Sequence, residues 1–283
     1  MNTWGPDGAR AAVVLTFDNL GEAQDLEFGS WPQGQPLGRH PSVLIVLPRI
    51  LSMLAELQLP ASFFVESINS VSYPNAMRDI VVAGHEVACH GWRHERWNVL
   101  SADEEDALLV RSTKALRELD IEPVGFRPPG GQLSSQSSRL LRRHGMRWCS
   151  PAGGHAGRLE GMAYIPFLWE NVDALYLNPR LATLRQSFGM PTGSATPTDF
   201  GLAAKLAIDR VIADGGCLSL VFHPYLAEPA EAFATLRHVL ERVAEARQSE
   251  GLWVAHGRTV GDWILAQEDF RPPSLETRTW MSN

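Results

Sequence analysis

The sequence predicts an α/β fold in which helices alternate with the strands of a mostly parallel sheet, closed as a barrel or wound on both faces. Three observations predict it. Short apolar β-type runs alternate with runs of helical period along most of the chain. Gly, Pro and capping residues punctuate the boundaries between them. Finally, Asp18, His90, Arg127 and His223 each directly follow a strand-like run. That is the edge where reactive side chains converge in barrels and open α/β sheets, because the βα loops there carry no packing duty.

The elements follow in order. Residues 11–17, AAVVLTF, read as the first strand. A helix follows over 48–57, with Leu47, Ile50, Leu51, Leu54 and Leu57 on one face and Pro48 in its first turn, where a missing N–H costs nothing. SFFV at 62–65 is a strand, 75–83 a helix stopped by Gly84, and HEVAC at 85–89 a strand. Ser101 with Glu104 forms a capping box that opens a helix to about residue 119. A short strand at 124–126, a helix at 135–144 ended by Gly145 and a strand at 146–149 come next. Residues 199–214 read as a helix with Leu202, Leu206 and Ile208 inward, followed by the buried strand CLSLVF at 217–222. A long amphipathic helix at 229–249, a strand at 252–255 and a helix to residue 266 complete the pattern.

Residues 21–41, 178–198 and the tail 268–283 break this rhythm. Long aperiodic loops in a compact domain are usually functional or else disordered. The first two are expected to be lids over the mouth, and the tail a surface strap or homo-oligomer contact. A chain of 283 residues fits one catalytic domain spanning 1–283, since α/β barrels often run to about 250 residues or more as one unit. The net charge of −7 argues against nucleic acid or an anionic membrane as partner. Cys89, Cys149 and Cys217 lack metal or disulfide-framework spacing, and no run approaches a membrane span. With MNTWGPDGAR at its start and no export pattern, the chain is expected in the cytoplasm.

The strongest motif is His90-Gly91-Trp92-Arg93-His94. An i, i+4 pair on a helical turn can aim two imidazoles at one metal, which suits zinc and also nickel, cobalt or iron. Thr16-Phe17-Asp18-Asn19 lies across the same rim. It would add an oxygen ligand and leave a position open for water, as catalytic metal sites require.

Over residues 13–256 these motifs resemble the NodB-like polysaccharide deacetylases, carbohydrate esterase family 4, and lie closer to its intracellular, allantoinase-like branch. The resemblance implies a distorted (β/α) barrel and a divalent metal, zinc in the first place. It also implies the roles: Asp18 as general base, Asn19, His90 and His94 as ligands, Arg127 as the partner that orients Asp18, and His223 in LVFHP as general acid. Two departures stand out. Asn19 occupies the place of a ligand aspartate, and Gly130 in RPPGG replaces an aromatic, leaving a smaller pocket wall. Gly130, Trp148 and Ser150, with Pro151, are the expected substrate-side residues.

Other polar residues read more plainly. His85 is expected to make a structural hydrogen bond; His256 also follows a strand and reads first as structural, with the mouth as the alternative; Asp25 and Glu27 belong to a solvated loop, with substrate contact as the alternative. Glu170 and Asp173 in WENVD read equally as supports of His223 or as surface charge, and Cys89 is a small buried residue. The expected function is metal-dependent N-deacylation of an N-acylated sugar or amine. With no export pattern, the substrate is expected to be a small intracellular molecule rather than a wall polymer. The alternatives are allantoinase-like opening of a cyclic ureide or imide, and a catalytically silent scaffold.

Overall fold

The first apolar run becomes the strand β1, Ala11–Asp18, and its alternation decides the layering of the computed structural model, which describes residues 3–268 and 270–276. Ala11, Val13, Leu15 and Phe17 pack in one cluster with Ile50, Met77 and Leu109 of the surrounding helices. Ala12 and Val14 join Phe64, Ala88, Trp148 and Ile264 in a second, inside the curl of the sheet. All eight residues of β1 are buried, and each large apolar side chain so covered contributes about 1.5–3 kcal/mol.

The remaining strands are β2 (Ser62–Val65), β3 (Glu86–Cys89), β4 (Gly125–Phe126), β5 (Trp148–Cys149), β6 (Gly153–His155), β7 (Gly157–Leu159), β8 (Met162–Tyr164), β9 (Gly216–Phe222), β10 (Leu252–Val254) and β11 (Ser274–Leu275). One edge of β1 pairs with β9 over its length; the other is shared, by β10 near Ala11 and by β2 near Asp18. From β2 the sheet runs through β3, β4, β5 and β8, all parallel, and ends on the antiparallel β7. Among the described residues no ladder joins β7 to β9, so the barrel is curled but open. This is the distorted (β/α) barrel that the sequence predicts.

Most predicted elements lie within a few residues of their expected bounds, and the differences have physical causes. The helix expected from Pro48 already begins with a wide π-type turn, Ser42–Val46, that runs on into Leu47–Glu56. A wide turn relaxes the i→i−4 ladder that Pro48 cannot complete. Helix Ala102–Arg117 opens on the predicted capping box of Ser101 and Glu104. A second box, Thr196 with Asp199, starts helix Pro197–Asp214 earlier than expected. That helix buries Phe200, Ala204, Ile208 and Ile212, and leaves Leu202 and Leu206, both expected inward, 60% and 56% exposed.

The interrupting segments carry more structure than their sequence suggests. The first holds a helical turn, Ala23–Glu27. The second holds Ala182–Ser187 and is tied down by buried Arg185, whose guanidinium donates to the carbonyls of Leu175, Asn178 and Thr192. In the tail, β11 lies antiparallel on β6; residues 277–283, with Asp269, lie outside the described residues. Among the described residues no helix is long and apolar enough to cross a membrane.

Candidate active site

Strand register builds the site. Asp18 is level with Phe64, Val65 with Cys89, Cys89 with Phe126, and Phe126 with Cys149. The residues just beyond these pairs therefore emerge on one rim: Asn19, Glu66, His90, Arg127 and Ser150. β9, in register with β1 up to Phe17 and Phe222, adds His223 to the same rim.

Arg127 stands inside the curl of the sheet, 1% exposed. Its Nη1 donates to Asp18 Oδ1 at 2.7 Å and to Thr16 Oγ1 at 2.8 Å, while Nη2 donates to Ser150 Oγ at 2.8 Å and Ser219 Oγ at 3.2 Å. Phe64 and Phe167 face the guanidinium, with ring centroids 4.1 and 4.9 Å from Cζ. A cation so enclosed stays in place only if its donors are used, and four oxygens use them. Its effect is to hold the Asp18 carboxylate in one orientation at the cavity wall.

His223 is held in the same way, with the sign reversed. The Asp173 carboxylate accepts from the His223 backbone N–H at 2.7 Å and from Nδ1 at 2.5 Å. Because an ionised carboxylate only accepts, Nδ1 carries a proton, and Nε2 is the ring's titrating position. Burial alone would lower the His223 pKa; the adjoining Asp173 carboxylate, with help from Asp18, outweighs it and raises the pKa above the ordinary histidine value. Of the two carboxylates that the sequence offered as supports, Asp173 is the one in contact.

The histidine motif does not form a helical turn. Gly91, Trp92 and Arg93 make a tight turn in which Gly91 has φ +75° and His94 itself φ +74°. Glu95 closes it, accepting from the Trp92 and Arg93 amides at 2.9 and 2.8 Å. Left-handed backbone at non-glycine residues is costly and tends to persist at functional sites; Asn19, φ +58°, is a second instance here. The turn brings the His90 and His94 rings to 5.0 Å between centroids. His90 Nδ1 donates to the Arg127 carbonyl at 2.9 Å, which leaves its Nε2 lone pair free. Burial pushes the His90 pKa down to about 3, and that of His94 well below the usual value with the neighbouring histidines adding to it. Both rings are thus neutral, the form that binds metal.

Sequence reasoning missed Glu66 here. Its carboxylate and the nitrogens of His90 and His94 lie within 4.8 Å of one another. Burial raises the Glu66 pKa well above the usual carboxylate range. Asn19 Oδ1, Glu66 Oε1 and His94 Nδ1 are all buried without a hydrogen-bond partner. Unpaired buried polar atoms are rare and costly, so such atoms on Glu66 and His94, two members of the close group, fit a divalent cation.

A cavity of about 460 Å³ opens onto this rim, lined by Asp18, Asn19, His90, His94, Arg127 and His223. Gly130, with φ +75°, lines it as expected from RPPGG. Trp148 does not. Its indole fills the space left by Gly125, Gly257 and Gly261 and donates to Glu86 at 3.1 Å, so it packs the interior below the site. Ser150 and Pro151 are also absent from the wall, and Ser150 acts through Arg127. Instead, Phe167, Trp169 and Tyr225 supply the aromatic lining. Gln24 and Phe28 enter from the first interrupting segment, and Arg180, Leu181, Thr183 and Leu184 from the second.

His256 sits at the start of helix Gly257–Ala266, away from the cavity. His85 makes no hydrogen bond through either ring nitrogen, contrary to expectation, and burial lowers its pKa to about 4. Asp25 and Glu27 are paired with arginines, Arg180 at 3.5 Å and Arg93 at 3.0 Å. Burial raises the Cys89 thiol to about 11, which fits a structural residue.

Comparison with known proteins adds the family. A peptidoglycan deacetylase of Helicobacter pylori is 31% identical over 103 residues, which cover 36% of this chain and 35% of that protein. The match therefore spans about a third of the relative's length. A solved structure from Mycobacterium smegmatis, described as a polysaccharide deacetylase, superposes with a TM-score of 0.82 at 27% identity, covering 98% of this chain and 97% of that one. The Puue allantoinase shares the fold, with a TM-score of 0.74 at 19% identity and 93% coverage of both chains. The family model for polysaccharide deacetylase matches residues 6–149, just over half of the 283. On that match, this chain belongs to the polysaccharide deacetylase family.

Proposed function

We propose that the protein is a metal-dependent hydrolase that removes an acyl group from the nitrogen of a small N-acylated sugar or amine. The observation that carries this reading is the pairing of two buried, oppositely equipped groups on one cavity: Asp18 held by Arg127, and His223 held by Asp173. Arg127 fixes the Asp18 carboxylate where it can accept a proton, and Asp173, by holding Nδ1 and raising the His223 pKa, equips that ring to donate from Nε2.

In the proposed reaction, a water attacks the acyl carbon and Asp18 takes its proton. A C–O bond forms and the C–N bond breaks as His223 delivers its Nε2 proton to the departing nitrogen, so that acid and amine leave. Such proton transfers are typically worth about 10²–10⁴ in rate. A divalent metal, zinc in the first place with nickel, cobalt or iron as further candidates, would be held by His90 and His94 with oxygens from their neighbours, and would supply Lewis acidity and a lowered water pKa.

The cavity supports a small substrate. Its volume of about 460 Å³ lies within the range of small-molecule pockets, about 300–1,000 Å³. The two interrupting segments both contribute to its lining and touch through Arg180 and Asp25 at 3.5 Å. Acting as lids, they would suit a molecule that enters whole better than a polymer that lies in a groove.

The test is release of acid from a panel of N-acylated amino sugars and amines by the metal-loaded protein. The neutral Asn19 at the rim favours a second reading, opening of a cyclic ureide or imide. That reaction gives a single product heavier by one water, with the new carboxyl and the freed N–H on the same molecule, so no separate acid and amine are released.

A further inference from the structure

We infer that Glu66 supplies the anionic ligand of the metal site, so that the carboxylate missing from β1 at Asn19 is provided by the neighbouring strand β2. This inference rests on the metal-dependent reading above. Asn19, Glu66 and His90 are the first residues beyond β1, β2 and β3, three adjacent parallel strands, so Glu66 occupies the middle position of the three. Its carboxylate is fully buried. Oε2 accepts one amide, that of Leu20 at 3.3 Å, and Oε1 accepts nothing. The Arg127 guanidinium, which lies on this rim, is committed to Asp18.

The donor set explains why the carboxylate is needed. Two neutral imidazoles and an amide carbonyl give a divalent ion no anionic ligand, and a carboxylate oxygen beside two histidines is an established donor set of catalytic zinc sites. The ligand atoms of Glu66, His90 and His94 lie within 4.8 Å of one another. Metal bonds of about 2.0–2.2 Å would draw them together by roughly 1 Å, within the reach of side-chain rotation. Glutamate is one methylene longer than the aspartate it would replace, which suits a ligand reaching across from the next strand.

The test is zinc binding to chelator-stripped protein, measured by titration calorimetry and metal content, independent of any substrate. Glu66→Gln, a neutral isostere, is expected to weaken zinc binding at least about 100-fold, beyond the 10–100-fold typical of losing a group behind a ligand. Asn19→Ala is expected to cost less than about 10-fold. The double variant Asn19→Asp/Glu66→Gln, which returns the carboxylate to β1, is expected to recover most of the loss. A control, His90→Ala, abolishes binding. If Glu66→Gln binds zinc as the unmodified chain does while His90→Ala does not, the assignment of Glu66 is overturned and the metal reading stands. If the unmodified chain binds no zinc, both fall. Glu66→Asp gives an independent readout: it shifts the absorption spectrum of the cobalt-loaded protein, and an unchanged spectrum overturns the proposal.

Discussion

Replacing Asp173 by Asn removes a charge from His223 while keeping the side chain's shape. The carboxylate of Asp173, a residue 5% exposed, accepts a 2.5 Å bond from Nδ1 and a 2.7 Å bond from the backbone amide; the single amide oxygen of Asn can keep only one of them, and without charge. A hydrogen bond to a charged group is worth about 1.5–3 kcal/mol, so loss of the Nδ1 bond alone predicts a fall in kcat of about 10–150-fold. The sign of the pH effect follows from the opposing influences on His223. Burial lowers its pKa and Asp173 raises it, so without Asp173 the burial effect prevails. The proton needed for the leaving nitrogen is then lost at lower pH, and the alkaline limb of kcat moves towards acid. The assay is the pH profile of acid release, with KM measured beside kcat. A profile unmoved by Asp173→Asn would refute the assignment of His223 as the proton donor.

Three further outcomes follow. Arg127→Ala leaves Asp18 buried without its cation and is expected to cost about 3–5 kcal/mol in chemical denaturation, whereas breaking an exposed ion pair costs about 1 kcal/mol or less. Gly130→Ala places a side chain at φ +75° on the cavity wall; it is expected to cost about 1–2 kcal/mol and to slow bulky acyl substrates more than acetyl ones in matched rate measurements. Arg180→Ala breaks an exposed ion pair between the two segments that line the cavity and removes a lining side chain, so thermal unfolding stays within about 0.5 kcal/mol while KM rises.

What the sequence made legible was the rim. Asp18, His90, Arg127 and His223 each follow an apolar strand, and register alone brings them together. Glu66 carried the same signal, directly after SFFV, but an acidic residue leaving a strand ordinarily reads as solvated, and only its burial marks it out. Asp173 could not be told from Glu170 because the choice depends on how residues 172 and 221 pair across the sheet. Trp148 was misplaced because the space it fills is made by Gly125, Gly257 and Gly261, two of them more than a hundred residues away. In helix Pro197–Asp214 the inward face includes small Ala204, which the stronger hydrophobics Leu202 and Leu206 outweigh in any pattern count. The turn at Gly91 was hidden because a histidine spacing of four fits a helix equally well.

The central claim is acid release that depends jointly on the metal site and on Asp18. The measurement is the rate of free carboxylic acid formation from small N-acylated sugars and amines, made on zinc-loaded, chelator-stripped and Asp18→Asn protein. Acid and free amine are expected in equal amounts from the zinc-loaded protein, with loss of that rate by at least about 100-fold both on stripping and in Asp18→Asn. Acid release that survives stripping and the Asp18 substitution would contradict the claim, as would a single ring-opened product from a cyclic ureide or imide with no acid from any acylated amine.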